Sequence, residues 1–326
     1  MDRRSGQHSS EQCDDGLALR ARRGLLLAAC LLLAAGAQAQ YLKKVVTLPF
    51  TGAGWGLVSI AYNPSEHLLY APDAKSDTIW VFDERRSVPL YTISAGARVA
   101  ALYYDQSVNR LYASACLLAF VYVFSGRGHA PSGAISLPDI PCRLVPDTLH
   151  NRLFALCGNG VVAVIDCRND DVEALIRAVA SFEPGSPATY AEALNRLYVG
   201  CRADRTVVGI DCTGDSVIGR TTLDSIPVGL CYHEPNSRLY CSCARDSVLH
   251  VIDVQTNAIV DSVPGAGGCG AMCSNPLGNK VYAGFSVIDG RADTVRARFG
   301  LEVGEEVSTL TWCPGGNKVY VTSAAW

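Results

Sequence analysis

Three sets of residues in this chain have types and spacings that could support chemistry. The segment Gly265–Gly270 matches G-x-G-x-x-G, a glycine pattern that lets a backbone approach phosphate groups. Cys241 and Cys243, together with Cys269 and Cys273, could offer thiolates to a metal ion. The chain also has six histidines, which could act as general bases or as metal ligands.

The surroundings of the glycine segment argue against a nucleotide site. Gly265–Gly270 is followed by Ala271–Asn275, which begins a strand in the repeat pattern described below. Phosphate binding by this motif requires a helix N-terminus directly after the glycines. We therefore expect a turn at this position and no bound nucleotide.

The 14 cysteines follow an internal repeat, which favours a packing role. Cys157, Cys201 and Cys243 each lie three residues after the repeated aromatic residue. Equivalent positions of stacked sheets are about 10 Å apart, whereas a disulfide needs Cα atoms within about 7 Å. We expect these residues to be small apolar fillers, with neither disulfides nor a bound metal ion.

The histidines and aspartates are also distributed periodically. His67, His150 and His233 lie near corresponding turns of separate repeats, so they cannot converge on one site. The aspartates that end successive third strands, such as Asp83 and Asp166, fit turn positions better than an acid/base pair. A G-x-S-x-G nucleophile elbow is absent from the sequence. These patterns favour a non-catalytic protein without a cofactor.

Composition narrows the class of protein further. The 326 residues include 28 Lys and Arg against 31 Asp and Glu, a formal net charge of −3, and 49% of the residues are hydrophobic. A chain of this kind can bury a full core, so it is not an intrinsically disordered protein. Because it has no excess of basic residues, we do not expect it to bind nucleic acid.

The N-terminal segment has the pattern of a secretory signal. A basic stretch that ends at Arg23 precedes an unbroken apolar run, Gly24–Ala37. Small residues at Ala37 and Ala39 occupy the positions that a signal peptidase inspects. The sequence thus predicts a signal peptide over residues 1–39, with cleavage before Gln40.

Export places the remaining chain, residues 40–326, outside the cytoplasm: in the periplasm, on the cell surface or secreted. An alternative reading of Leu27–Cys30 as a lipoprotein box would attach a lipid to Cys30. The apolar run that continues past this cysteine disfavours that alternative. No other apolar segment is long enough to span a membrane, so we expect a protein that does not span one.

One short phrase repeats through residues 67–320. The phrase has four positions: a turn residue, a residue that is usually basic, Leu or Val, and an aromatic residue. Its copies are His67–Tyr70, Asn109–Tyr112, Asn151–Phe154, Asn195–Tyr198, Ser237–Tyr240, Asn279–Tyr282 and Asn317–Tyr320. The aromatic positions are separated by 42, 42, 44, 42, 42 and 38 residues. Seven copies at this period indicate a repeat architecture.

Each repeat reads as about four short strands. Alternating segments rich in Val, Ile, Leu and Tyr are separated by Gly, Pro, Asn and Asp, as in strands joined by tight turns. Only Val172–Ala180 has any helical character, which excludes a helical solenoid. A four-stranded sheet per 40 to 45 residues is typical of a β-propeller blade, so the sequence predicts an all-β, seven-bladed β-propeller.

The repeats resemble the YVTN family of β-propeller repeats. The namesake tetrad is nearly present at Tyr320–Ser323, and Tyr198-Val199 and Val251–Asp253 fit the second and third strands of that family. The resemblance implies a propeller fold and an exported protein. It does not point to one particular activity. Some relatives resemble sugar-lactone hydrolases, and other propellers hold redox cofactors.

The ends of the chain should complete the ring. The seventh repeat has two strands, at about Val307–Trp312 and Lys318–Thr322, and lacks a third. Tyr41–Leu48 should therefore serve as its outer strand, so that the last blade is incomplete at the C-terminus and is closed by an N-terminal strand. Either this blade has three strands or the chain is truncated after Trp326. A shortened interval between Tyr282 and Ile288 should also clip the sixth repeat.

The candidate binding residues lie where the copies differ. Loops that join one blade to the next gather at one mouth of the channel, and they contain Trp55, Arg98 and Arg143. An exposed Trp and two Arg suit a protein partner or a small anionic or carbohydrate ligand. We therefore expect an exported, monomeric, non-catalytic propeller that acts as a binding or scaffold module. The alternative is a propeller enzyme of lactone-hydrolase or redox type with its site at the channel mouth.

Overall fold

The structure is a computed structural model. It describes residues 25–26, 29–34, 44–47, 50–51, 59–73, 76–86, 88–300, 305–313 and 317–325. The described residues form strands, tight turns and two 3-10 turns at Glu192–Leu194 and Glu234–Asn236. The chain is therefore all-β, as its sequence predicts.

Six four-stranded antiparallel sheets follow one another, each made of four consecutive strands. Sheet 1 consists of β5 (Ala61–Asn63), β6 (Leu68–Pro72), β7 (Thr78–Asp83) and β8 (Val88–Ser94). Sheet 2 consists of β9 (Val99–Asp105), β10 (Arg110–Ala115), β11 (Phe120–Ser125) and β12 (Pro131–Ser136). Sheet 3 consists of β13 (Pro141–Asp147), β14 (Arg152–Cys157), β15 (Val161–Asp166) and β16 (Asp171–Arg177). Sheet 4 consists of β17 (Ala188–Ala191), β18 (Arg196–Cys201), β19 (Thr206–Asp211) and β20 (Ser216–Thr222). Sheet 5 consists of β21 (Pro227–His233), β22 (Arg238–Cys243), β23 (Val248–Asp253) and β24 (Ala258–Pro264). Sheet 6 consists of β25 (Met272–Asn275), β26 (Lys280–Ala283), β27 (Ser286–Asp289) and β28 (Thr294–Arg298).

A further four-stranded sheet, sheet 7, joins the two ends of the chain. Its strands, in spatial order, are β29 (Glu305–Cys313), β30 (Lys318–Ala325), β2 (Ala29–Ala34) and β3 (Lys44–Thr47). The expected outer strand within Tyr41–Leu48 corresponds to β3. The expectation that this repeat has no third strand is wrong, because β2 pairs antiparallel with β30. A short pair, β1 (Leu25–Leu26) and β4 (Phe50–Thr51), lies outside this sheet.

Two local expectations can also be compared with the strands. The short interval in the sixth repeat leaves β26 and β27 with four residues each, so its second hairpin is clipped as predicted. The segment with helical character, Val172–Ala180, instead contributes β16, because it pairs with β15 along the edge of sheet 3.

The apolar core lies between neighbouring sheets. Second strands such as β14 are buried on both faces, whereas outer strands such as β8 are mostly exposed. One core cluster combines Phe154 and Leu156 of sheet 3 with Val199 and Cys201 of sheet 4. The first strands of sheets 1 to 7 contact one another in chain order. This stacking of sheets side by side, with first strands innermost, is a propeller-like arrangement.

Where the repeated aromatic residue is a tyrosine, its hydroxyl can form a hydrogen bond with the next sheet. Tyr112 in sheet 2 donates its hydroxyl proton to Asp170 Oδ1 in sheet 3, at 2.8 Å. Tyr240 makes the same bond to Asp293 in sheet 6. In both cases the acceptor lies in the turn between third and fourth strands and has a positive φ. We call this contact the tyrosine latch.

The basic residue two positions before the tyrosine supports the latch from the same face of the strand. Arg110 Nη1 donates to Asp170 Oδ2 at 2.7 Å, and Arg196 Nη1 donates to the Val254 carbonyl oxygen of the next sheet at 2.9 Å. The intervening Leu111 faces the opposite neighbour and is fully buried. The phrase found in the sequence therefore encodes contacts on both faces of one strand.

The latch between sheets 3 and 4 lacks its hydroxyl. Phe154 stands at the tyrosine position, and Asp215 is the corresponding turn residue of sheet 4. Asp215 Oδ1 is buried and has no hydrogen-bond partner. Arg152 Nη1 lies 3.9 Å from this oxygen, too far for a hydrogen bond.

Replacing Phe154 by Tyr should therefore stabilise the protein. The new hydroxyl can donate to Asp215 Oδ1, and a hydrogen bond to a charged group contributes about 1.5–3 kcal/mol before strain is subtracted. We expect the free energy of unfolding in urea to rise by about 1 kcal/mol. The control, Tyr112→Phe, should lower it by about 1.5 kcal/mol because Asp170 loses a donor. A Phe154→Tyr protein no more stable than the parent would contradict the latch.

A histidine replaces the carboxylate in the latch between sheets 1 and 2. His129 is buried, its Nε2 lies 2.8 Å from the Tyr70 hydroxyl and its Nδ1 lies 3.1 Å from the Tyr91 hydroxyl. Burial lowers the pKa of His129, and the charge of nearby Glu66 opposes this shift only partly. The folded protein therefore holds this imidazole neutral.

This latch should make stability depend on pH. Because the pKa of His129 is lower in the folded state, the unfolded chain binds an additional proton below the ordinary histidine pKa of about 6.5. Its stabilising contribution is full above that pH and decreases as the pH falls, by at most about 1.4 kcal/mol per pH unit. Urea unfolding at pH 7.5 and pH 5 checks this. His129→Gln should lose less stability over the range than the parent, and equal losses would contradict the assignment.

Candidate functional site

Two kinds of connection meet at one end of the strands. These are the turns between second and third strands and the segments that lead from one sheet to the next. In sheet 2, Cys116 N donates to the Arg98 carbonyl at 2.6 Å, and Leu137 N donates to the Ala119 carbonyl at 2.9 Å. These bonds hold the second-to-third turn between the two neighbouring connections. We call this end of the sheets the upper rim.

The upper rim of sheets 2 and 3 exposes large apolar side chains. The exposed fractions are 69% for Leu117, 43% for Leu118, and 38% for both Phe120 and Ile140. We call these four residues the rim patch. Leu117 and Leu118 form the second-to-third turn, Phe120 begins β11, and Ile140 precedes β13. Exposed apolar side chains grouped on one rim suit contact with another apolar surface.

The backbone of Leu117 is in a conformation that leucine avoids. Its φ is +78°, in the left-handed region. The other non-glycine residues with positive φ in the described part of the chain are Asn, Asp, His, Arg or Ser, so Leu117 is the aliphatic exception. The second-to-third turn of sheet 3 places glycine at its positive φ (Gly160, +79°), and the turn of sheet 5 has Arg245 (φ +60°) at the repeat position of Leu117. A bulky residue in this region costs about 1–2 kcal/mol.

Two of the three sequence-predicted binding residues lie in the described part of the chain, in different elements. Arg98 lies on the upper rim, exposed, in the connection before β9. Arg143 is the third residue of β13, so it belongs to an inner strand of sheet 3 and not to a connecting loop. Trp55 lies outside the described residues, as do the predicted signal-cleavage residues Ala37, Ala39 and Gln40.

Arg143 lines a cleft between the inner strands β13 and β17. The cleft has a volume of about 390 Å³, and its walls also include Val145, Thr148, Thr189, Tyr190 and Glu192. Arg143 is half-buried, and this partial burial lowers the pKa of its guanidinium. The sequence analysis singled out Arg143 for its loop position. A stronger sequence signal than loop position is the long side chain itself, because the other sheets have small residues at this inner-strand position.

The cysteines occupy packing positions. The eleven cysteines from Cys116 to Cys273 are all free thiols, and those at the repeat positions, including Cys157, Cys201 and Cys243, are fully buried. The fourth-to-first connection containing Gly265–Gly270 leads into β25, as the sequence predicts. Across the described residues, no group of three or more His, Cys, Asp and Glu is arranged to hold a metal ion.

A hydrogen-bonded serine and histidine occur between sheets 5 and 6. His233 Nδ1 lies 2.8 Å from Ser274 Oγ, and His233 Nε2 lies 2.8 Å from Asn279 Oδ1. In sheet 4 the equivalent asparagine, Asn195, accepts a bond from Tyr190 of its own first strand. In sheet 6 serine replaces that tyrosine, and the fully buried His233 takes over the bond to the asparagine. The contact is therefore a packing substitution, since a substrate cannot reach a fully buried imidazole.

No protein-family model matches the chain, and a search of curated proteins gave no match. The described residues include no helix that is long and apolar enough to cross a membrane.

Relieving the strain at Leu117 should stabilise the protein. Glycine adopts positive φ readily, so Leu117→Gly is expected to raise the free energy of unfolding by about 1 kcal/mol. Leu277, 71% exposed in a first-to-second-strand turn at the opposite rim, is a matched control without positive φ. Leu277→Gly should leave stability unchanged or slightly lower, as measured by urea unfolding. A destabilised Leu117→Gly protein would show that its side chain contributes to folding.

Proposed function

We propose that the protein is a non-catalytic β-propeller that binds a protein partner through the rim patch. The observation that carries this proposal is Leu117, an exposed leucine held in a left-handed conformation. Folding alone would favour glycine, asparagine or aspartate at this position. Backbone strain of this kind typically persists where function requires a particular side chain.

The chemistry of the rim patch favours a partner with an apolar surface. Leu117, Leu118, Phe120 and Ile140 offer aliphatic and aromatic area, and Arg98 lies on the same rim. The antiparallel strands below the turns keep these side chains in fixed positions, so binding does not require a loop to be ordered. The fully buried core of a protein–protein interface is more apolar than the rest of the surface and is enriched in aromatic residues and arginine.

The finer architecture is part of the same proposal. We infer that sheets 1 to 7 close into a seven-bladed ring of the YVTN type and that the protein is a monomer. The chain-order contacts of the first strands support this inference. A ring brings the first and the last sheet next to each other and covers the remaining apolar faces.

We also propose that the protein is exported. The basic stretch, apolar run and small residues before Gln40 support a cleaved signal, and cleavage there would remove β2 from sheet 7. Mass spectrometry of the protein recovered from outside the cytoplasm should find an N-terminus at Gln40. A lipid on Cys30, or a chain that retains residues 29–34, would contradict cleavage at this position.

Site-specific photo-crosslinking tests the rim patch directly. A photoreactive amino acid at Leu118, in the cells that produce the protein, should give a discrete adduct with one partner. The same amino acid at Leu149, 63% exposed in a first-to-second-strand turn at the opposite rim, is the matched control and should not.

A second substitution is then introduced into the protein that carries the photoreactive amino acid at Leu118. Leu117→Gly should abolish the adduct at Leu118 although the folded protein is no less stable, whereas Leu277→Gly should leave it intact. Identical adducts from both rims, or an adduct that survives Leu117→Gly, would refute the proposal.

A further inference from the structure

We propose that the cleft beside Arg143 binds a small organic monocarboxylate. This site lies between the inner strands of sheets 3 and 4 and contains no residue of the rim patch. Its volume of about 390 Å³ falls in the range of small-molecule sites. The proposal is independent of the rim patch, and the two are tested with different variants.

Arg143 interrupts the repeat at a position that is otherwise small. Counting back 11 residues from each repeated aromatic residue gives the position of Arg143 in sheet 3. The corresponding residues of the other sheets are Ser59, Ala101, Pro187, Gly229, Ala271 and Thr309. Six small residues show that the fold does not need a long side chain here. An arginine in one copy therefore serves something other than the fold.

Arg143 also differs from the other half-buried arginines. Arg110 and Arg238 pair with carboxylates at 2.7 Å and 2.6 Å, and Arg196 donates to a carbonyl oxygen at 2.9 Å. Within the part of the chain that the structure describes, the Arg143 side chain makes no such bond, and no carboxylate lies within 4.0 Å of it. A half-buried guanidinium without such a partner has donors available to a ligand.

The geometry of the donor selects the ligand. A guanidinium is planar and binds a carboxylate through two parallel N–H···O bonds. Burial lowers the pKa of Arg143, and only the neighbouring Cys142 opposes this shift, so an arriving anion supplies a counter-charge that the cleft lacks. Val145 and Leu144 provide an apolar wall for the carbon skeleton.

The opposite wall limits the charge of the ligand. Glu192 lines the same cleft and accepts a hydrogen bond from Thr148 Oγ1 at 3.1 Å. A second negative charge on the ligand would meet this carboxylate, whereas a hydroxyl group could donate to it. Thr189 Oγ1 accepts from Tyr232 N at 3.4 Å, so its own proton remains available to donate. These contacts favour one carboxylate with hydroxyl groups at its far end.

Arginine side-chain NMR on the full chain tests the site. The Nε–Hε signal of Arg143 is assigned by its loss in Arg143→Lys and followed during titration with glucuronate, lactate, succinate and inorganic phosphate. Glucose and methanol serve as neutral controls. We expect a saturable shift of the Arg143 signal with glucuronate or lactate, and weaker responses to succinate and phosphate.

Two variants separate binding from folding. Arg143→Ala places at this position the residue found in two other sheets, so it should fold, and its melting temperature should equal or exceed that of the parent. It should weaken carboxylate binding at least tenfold, whereas Arg127→Ala, an exposed arginine of equal charge in a third-to-fourth turn, should not. Absence of a saturable shift with both monocarboxylates overturns the proposal. A stronger response to phosphate or succinate than to the monocarboxylates also overturns it, as does binding unchanged in Arg143→Ala.

Discussion

The described inner sheets of this protein have two apolar faces and can cover neither of them alone. The second strands of sheets 3 and 4 are buried on both sides, because each of these sheets stacks between two neighbours. The tyrosine latch fixes how they stack, because a hydroxyl on a second strand must meet the turn between third and fourth strands of the next sheet. Apolar burial provides most of the stabilisation, and the latch sets the register between sheets.

Residues that depart from the repeat show where the contacts between sheets differ from the usual ones. Some replace one packing solution by another: His129 substitutes for a carboxylate in the first latch, and His233 replaces a missing tyrosine beside Asn279. In these cases the polar groups remain paired, so the exception is explained by the fold itself. Phe154 is different, because its change leaves Asp215 Oδ1 without a partner and weakens one interface without an evident gain.

Leu117 and Arg143 are departures that the fold does not explain. Leu117 strains the backbone and exposes an apolar side chain, and Arg143 holds a half-buried charge with no carboxylate within 4.0 Å among the described residues. Each is unfavourable for the isolated molecule, and the other sheets have small residues at the position of Arg143. Both belong to rigid parts of the molecule, a tight turn and an inner strand. The rest of the fold is thus stable enough to hold two unfavourable side chains in place.

The sequence by itself determined the strand content and the repeat, because strand alternation and a period near 42 residues are local properties of the chain. It also indicated packing roles for the periodic cysteines. Only the tertiary structure decided where the exceptions lie. Arg143 was expected in a connecting loop, but pairing with β14 places it in an inner strand, and the third strand of sheet 7 comes from residues distant in sequence. The backbone strain at Leu117 could not be read from its residue type, because φ depends on how the turn joins two paired strands. Contacts between sheets depend on stacking over long sequence separations, and no local pattern records which face a neighbour will cover.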